Sequence, residues 1–471
     1  MKATERPNIV FIMADDHAPH ALSCYGSRIN RTPNLDRLAK EGMRFTHCFD
    51  TVSLCAPSRA SLLTSKYCHK HGFIKNEGPP FDGAQQTVPK LMQQAGYRTG
   101  IVGKWHLGSQ PTGFDYYDVI PGHGKFWDCP FKTTGDPWQN GDKGGQIQKG
   151  YLTDIITERS INWLNCQKNT HPFFLMVHHK APHQPYHYPD RYRNLYSGDL
   201  PLPDTFWDTW DSRDALADTP GRWSKLENIT DYDLQGDELG DCPIPDRSDI
   251  RRFRQWAYQT LFKGYLRLVA SLDDSVEHIL KALEEKGILD NTLVIYTSDN
   301  GYFLGDHGLF NKMWMYEESL GLPLLARLPG RIQAGTICHE ITSILDFAPT
   351  FLNLAGSDIP HGFQGRDLTP LLESGPVDDW RDMHYYHYYQ QFDVPSHCGI
   401  RTKRHKLIEF YTQKDESRWE LFDLEKDPHE VNNLAKDPKH LDLLETMQKR
   451  LRHAQVFYED PVLTHQTQPN N

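Results

Sequence analysis

Residues 8–17 read Asn8-Ile9-Val10-Phe11-Ile12-Met13-Ala14-Asp15-Asp16-His17. The first seven form an apolar, largely β-branched stretch with no polar alternation. That pattern predicts a strand buried on both faces, the kind found in parallel sheets covered by helices. Working outward, Thr32-Pro33 supplies a helix cap and a proline at the first helical position, and Gly42 ends that helix. Phe45–Phe49 reads as a short strand, Pro57–Thr64 as a helix opening directly after Cys55, Val88–Ala95 as a helix and Tyr97–Val102 as a strand. Farther on, Phe173–His178, Thr292–Thr297 and Leu322–Leu328 are predicted strands. Gln255–Lys286 and Asp346–Leu354 are predicted helices. Strands alternating with helices predict an α/β domain, residues 1–375, built on a large, mostly parallel sheet flanked by helices.

The character changes after residue 375. Met383–Tyr389, Lys406–Phe410 and Trp419–Asp423 read as short aromatic strands, and about Lys439–Glu459 as a charged helix. Residues 376–471 are therefore expected to form a smaller α+β subdomain, an antiparallel sheet plus a helix. Residues 109–150 and 184–250 are rich in Gly, Pro, Asp and Trp and lack periodicity. Loops of that length inside a compact domain usually serve a site.

Composition bounds the function. The chain has 471 residues, with Lys+Arg 51 against Asp+Glu 62 and a formal charge of −11. An acidic balance argues against a nucleic-acid partner, which needs a basic face. No apolar run approaches the ~20 residues of a membrane helix, so no membrane association is expected. Nine cysteines, odd in number, widely spaced and without a CxxC pair, exclude a disulfide scaffold and a zinc ribbon. Met1-Lys-Ala-Thr-Glu-Arg-Pro7 lacks the features of a signal peptide. The expectation is a cytoplasmic protein as the chain stands, or a periplasmic or secreted one if a leader has been removed.

In open α/β sheets ligands sit outside the carboxyl ends of the strands. Asp15-Asp16-His17 follows the first strand, and Cys55-Ala-Pro-Ser-Arg59 opens a helix. Gly103-Lys104-Trp105-His106 follows the strand ending at Val102, His178–His183 follows Phe173, and Asp299-Asn300 follows Thr297. Asp306, His307 and Lys312 come shortly after. All of these sets fall at one predicted edge. Asp15, Asp16, Asp299 and Asn300 are hard oxygen donors, which suit Ca²⁺ or Mg²⁺ better than Zn²⁺. Cys55 at a helix N-terminus is placed where a thiol pKa is lowered and an anion attracted. Arg59, Lys104, His106, His183 and Lys312 would complete a cationic ring about a small tetrahedral anion, as sulfuryl or phosphoryl transfer requires.

These motifs resemble the formylglycine-dependent type I sulfatases of the alkaline phosphatase superfamily. Cys55-Ala-Pro-Ser-Arg-Ala-Ser-Leu-Leu-Thr64 is similar to the modification signature and Gly103-Lys-Trp-His-Leu-Gly108 to the second signature. The likeness runs from Arg6-Pro-Asn-Ile-Val to Glu420-Leu-Phe-Asp-Leu-Glu-Lys-Asp-Pro-His-Glu-Val-Asn-Asn433. It implies an alkaline phosphatase-like fold and oxidation of Cys55 to formylglycine by a formylglycine-generating enzyme or an anaerobic maturase. One hydroxyl of the aldehyde hydrate would bind the metal and attack sulfur, and the other would expel sulfate. The resemblance further implies Asp299 as proton acceptor, His183 as acid for the leaving group and His106 as base for sulfate release. Lys104 and Lys312 would clamp the sulfate, and Arg59 would hold the formylglycine. One Ca²⁺, with Mg²⁺ as the alternative ion, would lie on Asp15, Asp16, residue 55, Asp299 and Asn300.

Ala14-Asp-Asp-His-Ala18, Cys24-Tyr-Gly-Ser27, Lys312-Met-Trp-Met-Tyr-Glu-Glu-Ser319 and His397-Cys-Gly-Ile-Arg-Thr-Lys-Arg404 are similar to carbohydrate sulfatases, those acting on N-acetylglucosamine 6-sulfate above all. A sulfated saccharide is then the expected substrate, with His307, Trp105, Phe126 and Trp127 as candidate sugar contacts. Two other readings stand beside this one. A phosphonate monoester hydrolase or phosphodiesterase would share Cys-x-Pro-x-Arg, but such relatives tend to carry Asp-His where this chain has Asp299-Asn300. A catalytically silent glycan-binding protein would have lost part of the polar set, which here is intact.

Overall fold

The stretch Asn8–Asp15 forms β1 near the centre of a large sheet, and all its residues are buried. The computed structural model describes residues 6–461 except 140, 169, 238–242 and 412–416, so Met1–Glu5, Cys242 and residues 462–471 lie outside the described residues. Its further strands are β2 (Met43–Phe49), β3 (Arg98–Lys104), β4 (Tyr116–Ile120), β5 (Pro130–Thr133), β6 (Gln146–Ile147), β7 (Phe173–Pro182) and β8 (Thr292–Ser298). A separate hairpin, β9 (Phe303–Leu304) and β10 (Phe310–Asn311), precedes β11 (Gly321–Arg327), β12 (Thr336–Cys338) and β13 (Thr342–Ser343). The large sheet runs in the order β12-β2-β11-β8-β1-β7-β3-β4-β5-β6, with β13 also on β2.

β1 lies parallel to both β7 and β8, and β3 is parallel to β7 and β4. β11 enters antiparallel between β8 and β2. The carboxyl ends of β1, β2, β3, β7 and β8 therefore share one edge, as the strand-end motifs require. The missing alternation in β1 has a direct cause. Ile9, Phe11 and Met13 face a core containing Phe174, Phe347 and Phe351, and Val10, Ile12 and Ala14 face the core under the long helix Ile250–Glu285. That helix begins five residues earlier than its apolar periodicity, where the Asp249 carboxylate caps it by accepting from the Arg252 N–H at 3.1 Å. The helix Leu152–Cys166, which follows the first of the two loop regions in the chain, packs on the helix Ile250–Glu285 and on β7, and buries Ile156, Ser160 and Trp163.

β3 and β7 meet closely at Gly103. Its φ is +103°, and a Cβ there would lie 1.9 Å from the His178 carbonyl oxygen. Gly103→Ala is expected to lose more than about 3 kcal/mol of stability, from strain plus a clash with backbone. Gly287→Ala serves as control, because its φ is +69° but nothing lies within 4 Å of the added carbon. Equal melting temperatures for the two variants would show that the close approach is not what the glycine serves.

The second sheet is antiparallel, in the order β14 (Met383–Tyr388), β15 (His397–Thr402), β16 (His405–Phe410), β17 (Arg418–Asp423), followed by the helix Leu441–Phe457. β15 was not expected, and it supplies the centre of the sheet. Tyr385, Ile400, Leu407 and Leu451 join the same apolar core as Phe11 and Phe347. The sheet also grips the segment after Lys312: Lys406 Nζ donates to the Met315 carbonyl at 2.8 Å, and Tyr316 donates to Glu420 at 2.7 Å. Glu317 is paired with Arg401 at 3.0 Å and Lys406 at 2.8 Å. Among the described residues no helix is long and apolar enough to cross a membrane.

Candidate active site

At the end of β1 the chain turns sharply, with Asp16 at φ 69°, and presents two adjacent carboxylates. Cys55 is the first residue of the helix Cys55–Thr64, every residue of which is buried. Its Sγ lies 3.8 Å from Asp16 Oδ1. One turn later Arg59 reaches across to Asp299, with Nε at 3.0 Å and Nη2 at 2.7 Å from Oδ2. Arg59 Nη1 donates to the Lys104 carbonyl at 2.9 Å, which ties the helix to β3. The Lys104 ammonium is paired with Asp15, and Lys312 Nζ sits 2.6 and 2.5 Å from the two oxygens of Asp16. Asn300 Nδ2 donates to Asp16 Oδ1 at 2.6 Å. His183 Nδ1–H donates to the Gln184 carbonyl at 2.6 Å, which leaves Nε2 facing Asp16 Oδ2 at 3.6 Å. The expected residues from five separate strand ends thus meet in one cluster.

Three carboxylates here face three permanently cationic side chains, all buried. Burial works to raise Asp15, but Lys104, His183, Arg59 and Lys312 outweigh it and hold this carboxyl well below the usual range. Asp299 is pushed up to about 7 by burial and by the Asp15 charge. Burial, His123 and Lys104 push His106 well below the usual histidine range. The expectation of a lowered Cys55 thiol fails. Burial, reinforced by Asp15, pushes it well above the ordinary thiol range, because desolvation in this cluster outweighs the helix end.

Asp15, Asp16, Cys55 and His183 offer ligand atoms within 4.8 Å of one another. Asp15 Oδ1 and Asn300 Oδ1 are buried without a hydrogen-bond partner. Unsatisfied buried oxygens of this kind call for a cation, and an oxygen-rich set fits a hard divalent ion.

A cavity of about 450 Å³ is lined by Leu54, His106, His183 and Lys312. The long loops supply much of its wall, including His123, Asp142, Gln184, Trp223 and Tyr232. His123 was missed by sequence reasoning. Its ring centroid lies 4.0 Å from His106 and 5.3 Å from His183, between the two imidazoles. The expected sugar contacts Trp105 and His307 do not line this cavity. Trp105 is buried against Phe114 and donates its indole N–H to the Ser109 carbonyl at 2.6 Å. His307 is enclosed by Asp208, 2.7 Å from Nδ1, and by Arg213. Phe126 is buried beside Lys180, and Trp127 is half-exposed on Tyr151, so neither reaches the cavity wall.

Residues 7–357 match the sulfatase family model. The chain belongs to the sulfatase family. A second model, the C-terminal region of N-sulphoglucosamine sulphohydrolase, matches residues 305–456 of this sulfatase. The chain is 39% identical to an N-acetylglucosamine-6-O-sulfatase of Bacteroides thetaiotaomicron, over 95% of its own length and 87% of that protein. It is 27% identical to an N-acetylglucosamine-6-sulfatase of Capra hircus, over 93% and 82% of the two chains. The fold matches a solved structure in complex with its substrate D-glucosamine-2-N,6-O-disulfate, with a TM-score of 0.88, 37% identity and coverage of 97% and 99%. The α/β architecture expected from the sequence is thus that of the sulfatase, alkaline phosphatase-like fold.

Proposed function

We propose that this sulfatase removes a 6-O-sulfate from an N-acetylglucosamine-type saccharide, using formylglycine formed at Cys55 by a maturase. The observation that carries the reading is the convergence of Cys55, Arg59, Lys104 and Lys312 beneath a cavity within the ~300–1,000 Å³ typical of small-ligand sites. The similarity to 6-sulfatases supports the choice of sugar and position.

Asp15, Asp16, Asp299 and Asn300 would hold Ca²⁺, or Mg²⁺, next to residue 55. When present, formylglycine supplies a hydrated aldehyde as nucleophile and the cation polarises it. The chain's own side chains do the rest. Lys104 and Lys312 bring two ammonium groups to the non-bridging oxygens, where charge accumulates during transfer. Arg59 fixes the Asp299 carboxylate, whose raised affinity for a proton suits an acceptor near neutrality. His183 carries a proton at Nε2 toward the departing sugar oxygen. His106, with Nδ1 unpartnered, takes the proton whose removal releases sulfate. Asn300 would add a neutral amide oxygen to the carboxylate ligands, its Oδ1 being buried without a hydrogen-bond partner.

The direct test is sulfate release from N-acetylglucosamine 6-sulfate, set against a matched pair of aryl sulfate and aryl phosphonate. The expected order is sugar sulfate above aryl sulfate above aryl phosphonate in kcat/KM. Faster turnover of the phosphonate would overturn the assignment.

A further inference from the structure

A second cluster of metal-ligating side chains lies outside the catalytic cavity. His69, His387 and Asp460 bring one ligand atom each to within 4.8 Å of one another, and none of the three lines that cavity. They come from distant parts of the chain. His69 is in the short helix Cys68–His71, His387 is in β14, and Asp460 follows the closing helix Leu441–Phe457. Their side chains are 3%, 2% and 0% exposed, respectively. Polar atoms buried to this degree are costly without partners, so the hydrogen bonds of each atom decide what the cluster needs.

His69 Nε2–H donates to the Tyr458 carbonyl at 2.8 Å, which uses the one proton of a neutral imidazole. Its Nδ1 therefore presents a lone pair, and that atom is buried without a hydrogen-bond partner, 3.4 Å from Asp460 Oδ2. Two acceptors facing each other out of water repel unless a proton or a metal ion stands between them. The same Oδ2 accepts from the Tyr385 hydroxyl at 2.7 Å and lies 2.6 Å from His387 Nδ1. On its far side His387 Nε2 meets the Tyr411 hydroxyl at 2.5 Å. Both imidazoles thus have one nitrogen held from outside, by a carbonyl or a hydroxyl, and the other turned to Asp460. Metal-binding histidines are arranged in this way, with the outer hydrogen bond fixing the ring. The spacing fits as well. Two ligands ~2.05 Å from a tetrahedral ion stand about 3.3 Å apart, near the 3.4 Å between His69 and Asp460.

We propose that His69, His387 and Asp460 form a binding site for a divalent transition ion, Zn²⁺ above all, separate from the catalytic cluster. Two imidazoles and one carboxylate suit Zn²⁺ and not Ca²⁺, and a water completes the tetrahedron. On binding, the ion replaces the proton between His387 Nδ1 and Asp460. That proton leaves to solvent, and His387 keeps Nε2–H for the Tyr411 oxygen. The role is structural. The ion fastens β14 and the turn after the last helix to the helix Cys68–His71, which follows the helix Cys55–Thr64 closely in the chain.

The test uses the whole protein, stripped of metal and then held in excess Ca²⁺ so that the catalytic cluster is not left open to zinc. Zn²⁺ is added, free ion is removed by gel filtration, and bound metal is counted for the wild type, His69→Gln and Asp460→Asn. The wild type is expected to retain about one Zn²⁺ more than either variant. It should also melt at least about 3 °C higher with Zn²⁺ than without, a shift that both variants lack. Equal Zn²⁺ in wild type and variants would put the ion elsewhere and overturn the proposal. A wild type that takes up no Zn²⁺ would overturn it too, and leave a proton between His69 and Asp460. Anomalous diffraction at the zinc edge from wild-type crystals decides the matter even where a variant fails to fold. A peak among the three side chains is expected, and a peak confined to the catalytic cluster would refute the site.

Discussion

Replacing Cys55 by alanine is expected to lower sulfate release on the order of 10⁴-fold or more, while the protein melts within about a few degrees of the wild type. The catalytic part of that expectation follows from geometry. Arg59, Lys104, Lys312 and the carboxylates of Asp15, Asp16 and Asp299 are all arranged about the first residue of the helix Cys55–Thr64. Binding groups alone, without a nucleophile, recover only a small part of such a rate. The structural part follows from size. Cys55 is buried but small, and among the described residues its Sγ makes one long hydrogen-bond contact, 3.8 Å to Asp16. Peptide mass spectrometry across residue 55 completes the test, because active wild-type protein should carry the aldehyde there. Wild-type protein that is active with an intact thiol would sink the formylglycine assignment. A variant retaining activity within about tenfold would remove residue 55 from the chemistry altogether.

The residues that carry this argument were legible because each sits where a strong local signal ends. β1 is an unbroken apolar run, and the polar triplet after it can only lie at the sheet edge. The same logic located Lys104, His183 and Asp299. It failed where neighbouring residues take opposite sides. The strand ends at Lys104 and His106 takes a φ of 57°, a turn the sequence does not announce, and Trp105 between them is buried in the apolar core and does not line the cavity. His123 could not be found, since Pro121-Gly-His-Gly-Lys125 has no period and no partner motif. Only the fold brings it against His106. β15 was hidden for another reason. His397-Cys-Gly-Ile-Arg-Thr402 mixes small and charged residues, and Gly399 is tolerated mid-strand because Met315 and the Leu407 carbonyl approach too closely for a Cβ. Tertiary contact, not strand propensity, decides that segment, and it is the segment that braces the loop after Lys312.

His183→Ala should slow hydrolysis in proportion to how poor the leaving group is. For a sugar alcohol, which departs badly without a proton, a loss of about 10²–10⁴ in kcat is expected, and for an activated aryl sulfate a loss of less than about tenfold. In this proposal the acting atom is Nε2. Nδ1–H is engaged by the Gln184 carbonyl at 2.6 Å, so a proton for the substrate travels on Nε2, which faces the cluster. Burial and Lys312 hold this imidazole well below the usual histidine range, so its protonated fraction grows as pH falls through and below neutrality. The sign follows: kcat/KM for a poor leaving group should rise as pH is lowered from 8 toward 7 and level off below, where Asp299, pushed up to about 7, takes a proton and ceases to act as acceptor. That rise should be absent for the activated substrate and absent in His183→Ala. A plot of log kcat/KM against leaving-group pKa reads the same point, being steeper for the variant than for the wild type. Parallel lines, with equal losses across the series, would mean that His183 positions Asp16 or the sulfate and transfers no proton. The two roles are separable because only proton transfer couples the side chain to the basicity of the oxygen that leaves.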